Sequence, residues 1–496
     1  MADSNDNAEQ TATFASFELR EELNEGIKAA GFKRPSMIQE QVIPLILQGR
    51  DVIGQAHTGT GKTAAFGLPA MHRMSLDKGI EMLVICPTRE LANQVSDEIY
   101  RLGRFVGVRT VAAYGGQSIV QQAKRINHNS HVLSATPGRL LDLLKNKWLK
   151  DFSPSVVVLD EADEMLDMGF LDDIKEIFGF LPEKRQNLLF SATMPGPIQR
   201  LAQAFLHDPV SFKSISEQDT NQDIEQQYCV IEERERQEAV VRLIEDRAPE
   251  KAILFCRTRN EVDSLDSSLS ARGYNSRALH GDMEQPQRTH VMNGFREGRI
   301  SILVATDVAS RGLDVQGVSH VFNYHMPFDT KGYIHRIGRT GRAGQKGTAI
   351  TLVTPREFHQ LQRIQRSIGN AIENRLIPSR RELRVTRIAR LCEDIKTKDV
   401  TPEAVRMVQS LEEAEDLAAI AYKMATFILN QNSETGPEKI GITGDHLQRI
   451  INMTSHPRRG GNMRRRGNQG RYPRNSDRRG SPRGRPPQNN RRRRPS

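Results

Sequence analysis

From about Phe14 to Ser214, short apolar runs such as Met82 to Cys86 and Val156 to Leu159 alternate with amphipathic segments. That alternation predicts a parallel sheet covered by helices. A polar, acid-rich stretch from Ser216 to Glu225 interrupts it, and the pattern restarts with Ala252 to Cys256, Ile300 to Ala305, His320 to Asn323 and Thr348 to Val353 as strands. After about Ser367 the strand signal fades. Ser410 and Glu413 then have the spacing of a capping box, and Leu417, Ile420, Ala421, Met424, Phe427 and Ile428 recur at helical intervals. Beyond His456 the chain is Arg, Gly, Asn and Pro with almost nothing to bury, so ordering entropy has no core to offset it. The predicted organisation is a disordered N-terminus over 1–13 and an α/β domain over 14–216, then a second α/β domain over 217–368. A helical module over 369–455 and a basic disordered tail over 456–496 complete it.

Charge sharpens this division. The net +10 of the 496 residues conceals a tail with 15 arginines, no lysine and one acid, Asp477; removing that +14 leaves residues 1–455 at −4. A mildly acidic body with one strongly basic arm suits a nucleic-acid partner. The first residues lack the basic start and apolar stretch of a secretory signal, and no long uncharged apolar window occurs, so an intracellular, membrane-free chain is expected. Cys86, Cys229, Cys256 and Cys392 form no CxxC pair, which predicts buried reduced thiols rather than a zinc site or disulfides.

Two segments carry chemistry. Ala56-His57-Thr58-Gly59-Thr60-Gly61-Lys62-Thr63 follows a predicted strand, Asp51 to Gln55, and opens a predicted helix. Gly59 and Gly61 let the backbone curl so that its N–H groups face phosphate oxygens, although Ala56 stands where the strict phosphate-loop pattern has Gly. In such a loop Lys62 neutralises the β and γ phosphates and the Thr63 hydroxyl ligates Mg²⁺. The second segment is Asp160-Glu161-Ala162-Asp163, at the end of the apolar run Val156 to Leu159. There Asp160 can hold Mg²⁺ through water and Glu161 can orient an attacking water. Taken alone, an acidic strand end also fits a helix cap, a role open to Asp163.

The Asp-Glu-Ala-Asp sequence is accompanied by Pro87-Thr88-Arg89-Glu90-Leu91, Gly115-Gly116, Thr136-Pro137-Gly138-Arg139 and Ser191-Ala192-Thr193. Further along stand Gln285 to Arg288, Ala305-Thr306-Asp307, Arg311-Gly312-Leu313-Asp314 and His335 to Arg342. In this order, over positions 14–355, the chain resembles the DEAD-box ATP-dependent RNA helicase family, most of all its bacterial DeaD and cold-shock members. The resemblance implies two tandem RecA-like parallel-sheet domains, ATP as substrate, Mg²⁺ as cofactor, and a cytoplasmic enzyme. Its implied activity is RNA-stimulated ATP hydrolysis coupled to non-processive unwinding and RNP remodelling.

It also implies site residues. Gln39, in Gly31 to Gln39, would select adenine, since a carboxamide can accept from its amino group while donating to N7; Ser36 and Met37 stand where the family usually has Thr and Pro. Phe14 is assigned to the nucleotide site, with a core role equally open. Arg339 and Arg342 would reach across the cleft to the γ phosphate, supported by Gly312, Asp314 and His335. RNA contacts, mainly to phosphates and 2′-hydroxyls, fall on Thr88, Arg89, Gly116, Thr136 and Arg139, then on Gly281, Gln285, Arg288 and Thr306. Asp163, Ser191, Thr193 and His335 would couple ATP state to RNA grip, although Ser191 and Thr193 also fit helix caps.

Two other functions compete, a DNA translocase and an idle RNA clamp; the presence of Lys62, Glu161 and Arg342 argues against the clamp. Residues 370–452 resemble the helical extension through which DeaD-type enzymes can dimerise, and a module packed on its own second domain fits as well. Ribosome-assembly or RNA-degradation proteins are the implied protein partners.

The charge division generates a prediction. Deleting His456 to Ser496 should weaken RNA binding strongly and leave turnover at saturating RNA nearly unchanged. If about six tail arginines neutralise phosphates on one strand, the log-log salt slope is about −4, roughly 300-fold between about 50 and 200 mM salt. RNA titrations of full-length and truncated protein at several salt concentrations check this, and coincident slopes would rule out a tether.

Overall fold

The computed structural model describes residues 13–56, 59–213, 223–307, 315, 317–341, 345–369, 372–430 and 436–455. The expected linker near 217 and the tail over 456–496 lie outside the described residues, as do residues 1–12.

Fourteen strands are described. The first seven are β1 (Val52–Gln55), β2 (Met82–Ile85), β3 (Thr110–Ala113), β4 (Val132–Ala135), β5 (Val156–Asp160), β6 (Gln186–Ser191) and β7 (Val210–Lys213). The second seven are β8 (Ile224–Val230), β9 (Ala252–Cys256), β10 (Ser276–Leu279), β11 (Ile302–Thr306), β12 (His320–Asn323), β13 (Gly347–Val353) and β14 (Glu373–Asn374). Runs such as Met-Leu-Val-Ile in β2 and Val-Val-Val-Leu in β5 are buried throughout, as parallel strands covered on both faces must be. The first sheet is ordered β3-β4-β2-β5-β6-β1-β7 and the second β10-β11-β9-β12-β13-β8-β14. Adding seven to each number of the first order gives the second, so the two halves are wound alike.

In the first sheet β5, β6 and β1 are neighbours, and their register pairs Asp160 with Phe190 and Gln55 with Ser191. The carboxyl ends of all three strands therefore reach one rim, the place where open α/β sheets bind ligands. Behind the rim the Phe66 and Phe190 rings pack with centroids 5.3 Å apart. Gly54 permits that packing, since a Cβ there would lie 2.6 Å from the Phe190 ring.

The structure corrects several expectations. The second sheet runs on past Ser367 to β14, whose two residues pair with β8 and are too few to leave a periodic signal. Ser410 does not cap a helix: it lies inside the helix Pro402–Glu412, where its hydroxyl donates to the Arg406 carbonyl at 3.0 Å. The next helix, Leu417–Asn430, is instead capped by Asp416, whose carboxylate accepts from Ala419 N at 2.9 Å. Cys86, Cys229 and Cys256 are buried free thiols, but Cys392 is exposed. No described helix is long and apolar enough to cross a membrane.

The helical module is anchored at its ends. Ile442 and Ile450 join one core cluster of the second sheet and Ile440 joins the other. Arg242, fully buried in the helix Arg236–Arg247, pairs with Glu238 at 2.9 Å and donates to the carbonyls of Pro437 at 2.6 Å and Glu438 at 3.1 Å. The chain between these ends behaves differently: Leu417 and Phe427 are 59% and 64% exposed.

Removing one partner from a buried, charged hydrogen-bond cluster strands the others. Arg242→Ala should therefore destabilise the second half by about 3–5 kcal/mol and leave the first half's transition in place. Calorimetry of the full chain, resolving the two transitions, is the check.

Candidate active site

At the rim β1 ends and the Ala56 amide donates to the Ser191 carbonyl at 3.0 Å, which ties the start of the loop to β6. Gly59 and Gly61 have φ of +87° and +86°, a left-handed backbone in which a Cβ is strained. At Gly61 a Cβ would also meet Gln39 Nε2 at 2.4 Å. Gly61 is the N-cap of the helix Lys62–Arg73, whose first N–H groups and positive dipole end suit an anion. His57 and Thr58 lie outside the described residues.

Lys62 and Asp160 are both buried, and Lys62 Nζ stands 3.8 Å from Asp160 Oδ1. Among the described residues neither atom has a hydrogen-bond partner. Burial, with Glu161 adding to it and Lys62 opposing it, pushes the Asp160 carboxyl up to about 6. A buried ammonium and a buried carboxylate left unsatisfied beside a helix N-terminus fit a polyphosphate with its counter-ion. Among the described residues no cluster of three His, Cys, Asp or Glu side chains can cage a metal. Thr63 and Asp160 supply the oxygens here that can meet a hard cation, which typically adds substrate phosphates and waters to one or two protein ligands.

Gln39 is buried, with its Oε1 accepting from Ser36 N at 2.9 Å and its Nε2 donating to the Gly61 carbonyl at 3.1 Å. The Ser36 hydroxyl donates to the Thr60 carbonyl at 2.8 Å, so the segment expected to read the base is bolted to the phosphate loop. Phe14 packs edge-on against Phe17 and Phe32 in the core, which favours the packing role left open for it.

The turn after β5 is strained. Glu161 is left-handed, with φ +55° and ψ +51°, and caps the helix Ala162–Asp167. A non-glycine residue in that region costs about 1 kcal/mol or more and persists where its surroundings fix it. Asp163 is not a cap: its Oδ2 accepts from Thr193 N at 3.0 Å and Thr193 Oγ1 at 2.8 Å. Ser191 Oγ accepts from Asp163 N at 3.2 Å and donates to the Thr193 carbonyl at 2.7 Å. Ser191 and Thr193 are thus cross-links between two loops, and the following helix, Gly196–Phe205, has Pro195 at its N-cap position with no side-chain capping bond.

The second half reaches this turn through the helix Thr330–Ile337. Lys331 Nζ donates to Asp167 Oδ2 at 2.8 Å, and His335 Nδ1 lies 3.6 Å from Glu164 Oε1. Burial raises the Asp163 carboxyl, but Lys331 and the Thr193 and Ser191 hydroxyls outweigh it and hold the group at about 2. Burial lowers the His335 imidazole to about 4, Asp163 opposing and Arg339 and Lys331 adding, so the ring is neutral at pH 7. Arg339 is buried one turn beyond His335. Arg342, Gly312 and Asp314 lie outside the described residues.

Three of the expected RNA residues, Arg89, Gln285 and Arg288, make contacts that bridge the halves. Arg89 donates to Gln285 Oε1 at 2.9 Å and packs beside Gly116, where a Cβ would lie 2.7 Å from its Nη1. Arg288 pairs with Glu90. Arg139 donates to Gln122 Oε1 at 2.7 Å and to the Gln117 carbonyl. Thr88 caps its helix by accepting from Leu91 N, Thr136 stands at an N-cap position without a side-chain capping bond, Gly281 is exposed and Thr306 ends β11. Sequence reasoning missed Glu90, Glu164, Asp167 and Lys331. A signal existed for Lys331, which precedes His335 by four residues and so shares its helix face.

Two like-wound parallel sheets, one carrying a phosphate loop and an acidic turn and the other contacting that turn, define a two-domain nucleotide-dependent enzyme of the helicase class. The model of the DEAD/DEAH box helicase matches residues 36–201, and that of the helicase conserved C-terminal domain matches residues 235–344. The chain is 48% identical over 447 residues to the DEAD-box ATP-dependent RNA helicase RhpA of Helicobacter pylori, covering 90% of this chain and 88% of that one. It is 45% identical to the DEAD-box ATP-dependent RNA helicase CshA of Geobacillus kaustophilus, over 74% of this chain and 79% of the other. Among solved structures, S. cerevisiae Dbp5 bound to RNA and ADP BeF3 superposes with a TM-score of 0.68 at 33% identity, covering 73% of this chain and 95% of that one. The chain belongs to the DEAD-box family and is an ATP-dependent RNA helicase, an RNA-dependent ATPase.

Because the raised Asp160 carboxyl is half protonated near pH 6, binding a cation there should expel the proton. Titrating magnesium ADP at pH 6 is expected to release about half a proton more from wild type than from Asp160→Asn, and the difference should vanish by about pH 8. Calorimetry in buffers of different ionisation heat measures it.

Proposed function

We propose that the rim of the first sheet is the ATP hydrolysis site and that it is completed by arginines of the second domain. The observation that carries this reading is the buried Lys62 Nζ and Asp160 Oδ1 pair, without hydrogen bonds among the described residues, at the N-terminus of the Lys62–Arg73 helix. Residues 56–63 hold the polyphosphate, and Gln39 fixes the adenine segment against them. Thr63 and Asp160 hold Mg²⁺, largely through water. When bound, Mg²⁺ neutralises phosphate charge. Glu161, aimed by its left-handed backbone, orients the attacking water, and Arg339 and Arg342 offset the charge that develops during transfer.

RNA lies on the face of Thr88, Arg89, Gly116, Thr136, Arg139, Gly281, Gln285, Arg288 and Thr306, held through phosphates and sugars rather than base edges. The likeness to Dbp5 bound to both RNA and ADP BeF3 supports a single state in which the two ligands are held together. Asp163, Ser191, Thr193 and His335 lie between the two faces and pass the state of one to the other. Unwinding is local and non-processive: closure strains one strand and hydrolysis resets the cleft. The enzyme works in the cytoplasm on ribosome-assembly or RNA-decay particles, with the arginine tail as an RNA tether.

Glu161→Gln should abolish turnover while ATP and RNA binding persist, because only the water-orienting group is lost. RNA-stimulated ATPase together with RNA retention on ATP tests this; near-normal turnover would refute the assignment.

The stripe of Leu417, Met424 and Phe427, with Leu417 and Phe427 exposed and Met424 half-buried, favours self-association through the helical module. Charged substitutions there should give monomers with unchanged ATPase in light scattering, and a wild-type chain that stays monomeric at high concentration would remove the dimer.

A further inference from the structure

Five of the eight residues from Asp160 to Asp167 are carboxylates: Asp160, Glu161, Asp163, Glu164 and Asp167. A bound triphosphate adds more negative charge at the same rim. A second domain can close on such a surface only if it brings cations to it, and uncompensated approach in a partly dry cleft is costly. Lys331 meets this need. Its Nζ lies 2.8 Å from Asp167 Oδ2 and 3.4 Å from Asp163 Oδ2, and it donates to the Asp163 carbonyl at 3.3 Å. Asp163 is 1% exposed and Lys331 22%, so part of this cluster is screened far less than a surface pair.

Lys331, His335 and Arg339 follow one another at four-residue intervals along the Thr330–Ile337 helix and the turn after it. Fixing the position of Lys331 on the acidic helix Ala162–Asp167 therefore fixes where Arg339 stands. Asp163 is also the acceptor for Thr193 N and Oγ1, so the second domain grips the carboxylate that joins the two coupling loops.

We infer that Lys331 is a cross-domain positioning residue, whose ion pairs with Asp167 and Asp163 set the register of its helix in the closed cleft and so seat Arg339. It touches no reacting atom and takes no part in the chemical step. The inference rests on reading the cleft as the hydrolysis site and adds a determinant of closure to it.

The test uses the full chain with Lys331→Ala, Lys331→Arg and the exchange Lys331→Asp with Asp167→Lys. Readouts are fluorescence energy transfer across the cleft with RNA and a non-hydrolysable ATP analogue, RNA-stimulated ATPase, and melting curves. Lys331→Ala should shift the closing equilibrium about 3- to 10-fold toward open, the range of a partly buried ion pair, and raise the RNA needed for half-maximal ATPase by a similar factor. ATP binding without RNA should be unchanged. Lys331→Arg should restore closure, the exchange should recover part of it, and the Lys331→Ala deficit should shrink toward about 0.5 M salt as the pair is screened. Wild-type closure in Lys331→Ala, failure of Lys331→Arg to rescue, or an exchange no better than its single changes would overturn the inference. Should Lys331→Ala lower a melting temperature, the two charge-retaining variants decide. An active Glu161→Gln refutes the hydrolysis site whatever Lys331 does, whereas normal closure in Lys331→Ala refutes only the positioning role.

Discussion

A carboxylate taken out of water must be surrounded by donors or cations, and Asp163, the last residue of the Asp-Glu-Ala-Asp segment, is nearly inaccessible. Its partners come from three places. Thr193 donates from the loop after β6, Ser191 binds the Asp163 amide from the end of β6, and Lys331 arrives from the other domain. The first two contacts exist because β5 and β6 are neighbours whose ends reach one rim. The third exists only where the two domains meet. One side chain thus joins the turn that bears Asp160 and Glu161 to the loop that follows β6 and to the helix that leads to Arg339.

The same turn holds two carboxylates in opposite conditions. Asp160 is raised to about 6 because burial exceeds the help it receives from Lys62, and Asp163, three residues on, is held at about 2 because its donors exceed the cost of burial. The consequences for stability differ in sign. Asp163 contributes stability above its unfolded pKa that is lost as pH falls toward about 2. His335, kept neutral to about 4, costs stability as pH falls below its ordinary value, since the unfolded chain takes up the proton first. Asp160 works the other way, costing stability as pH rises through about 6. Domain contact is therefore favoured by neutral rather than acid conditions.

The helical module obeys a different constraint. It is tied down where Arg242 satisfies the carbonyls of Pro437 and Glu438 and where isoleucines enter the second core, while the helix between presents apolar side chains outward. Its attachment is a matter of polar satisfaction and its outer face a matter of surface.

What the amino-acid sequence determined by itself was whatever is encoded locally. Buried parallel strands read as continuous apolar runs, the phosphate loop as glycines between a strand and a helix, and the acidic turn as carboxylates after β5. The fold class and the position of the glycine loop and acidic turn on one rim were legible for that reason. Where a local pattern had two physical solutions, packing chose: Ser410 went to a helix interior, and Ser191 and Thr193 to cross-links rather than caps. Lys331 with Asp163, Arg89 with Gln285 and Glu90 with Arg288 were decided only by tertiary structure. These partners lie more than 160 positions apart and on helices of separate halves, so no periodicity along the chain records them. Their geometry follows from how two independently cored domains meet, which is fixed by the summed shape and charge of both surfaces and by no single segment of either.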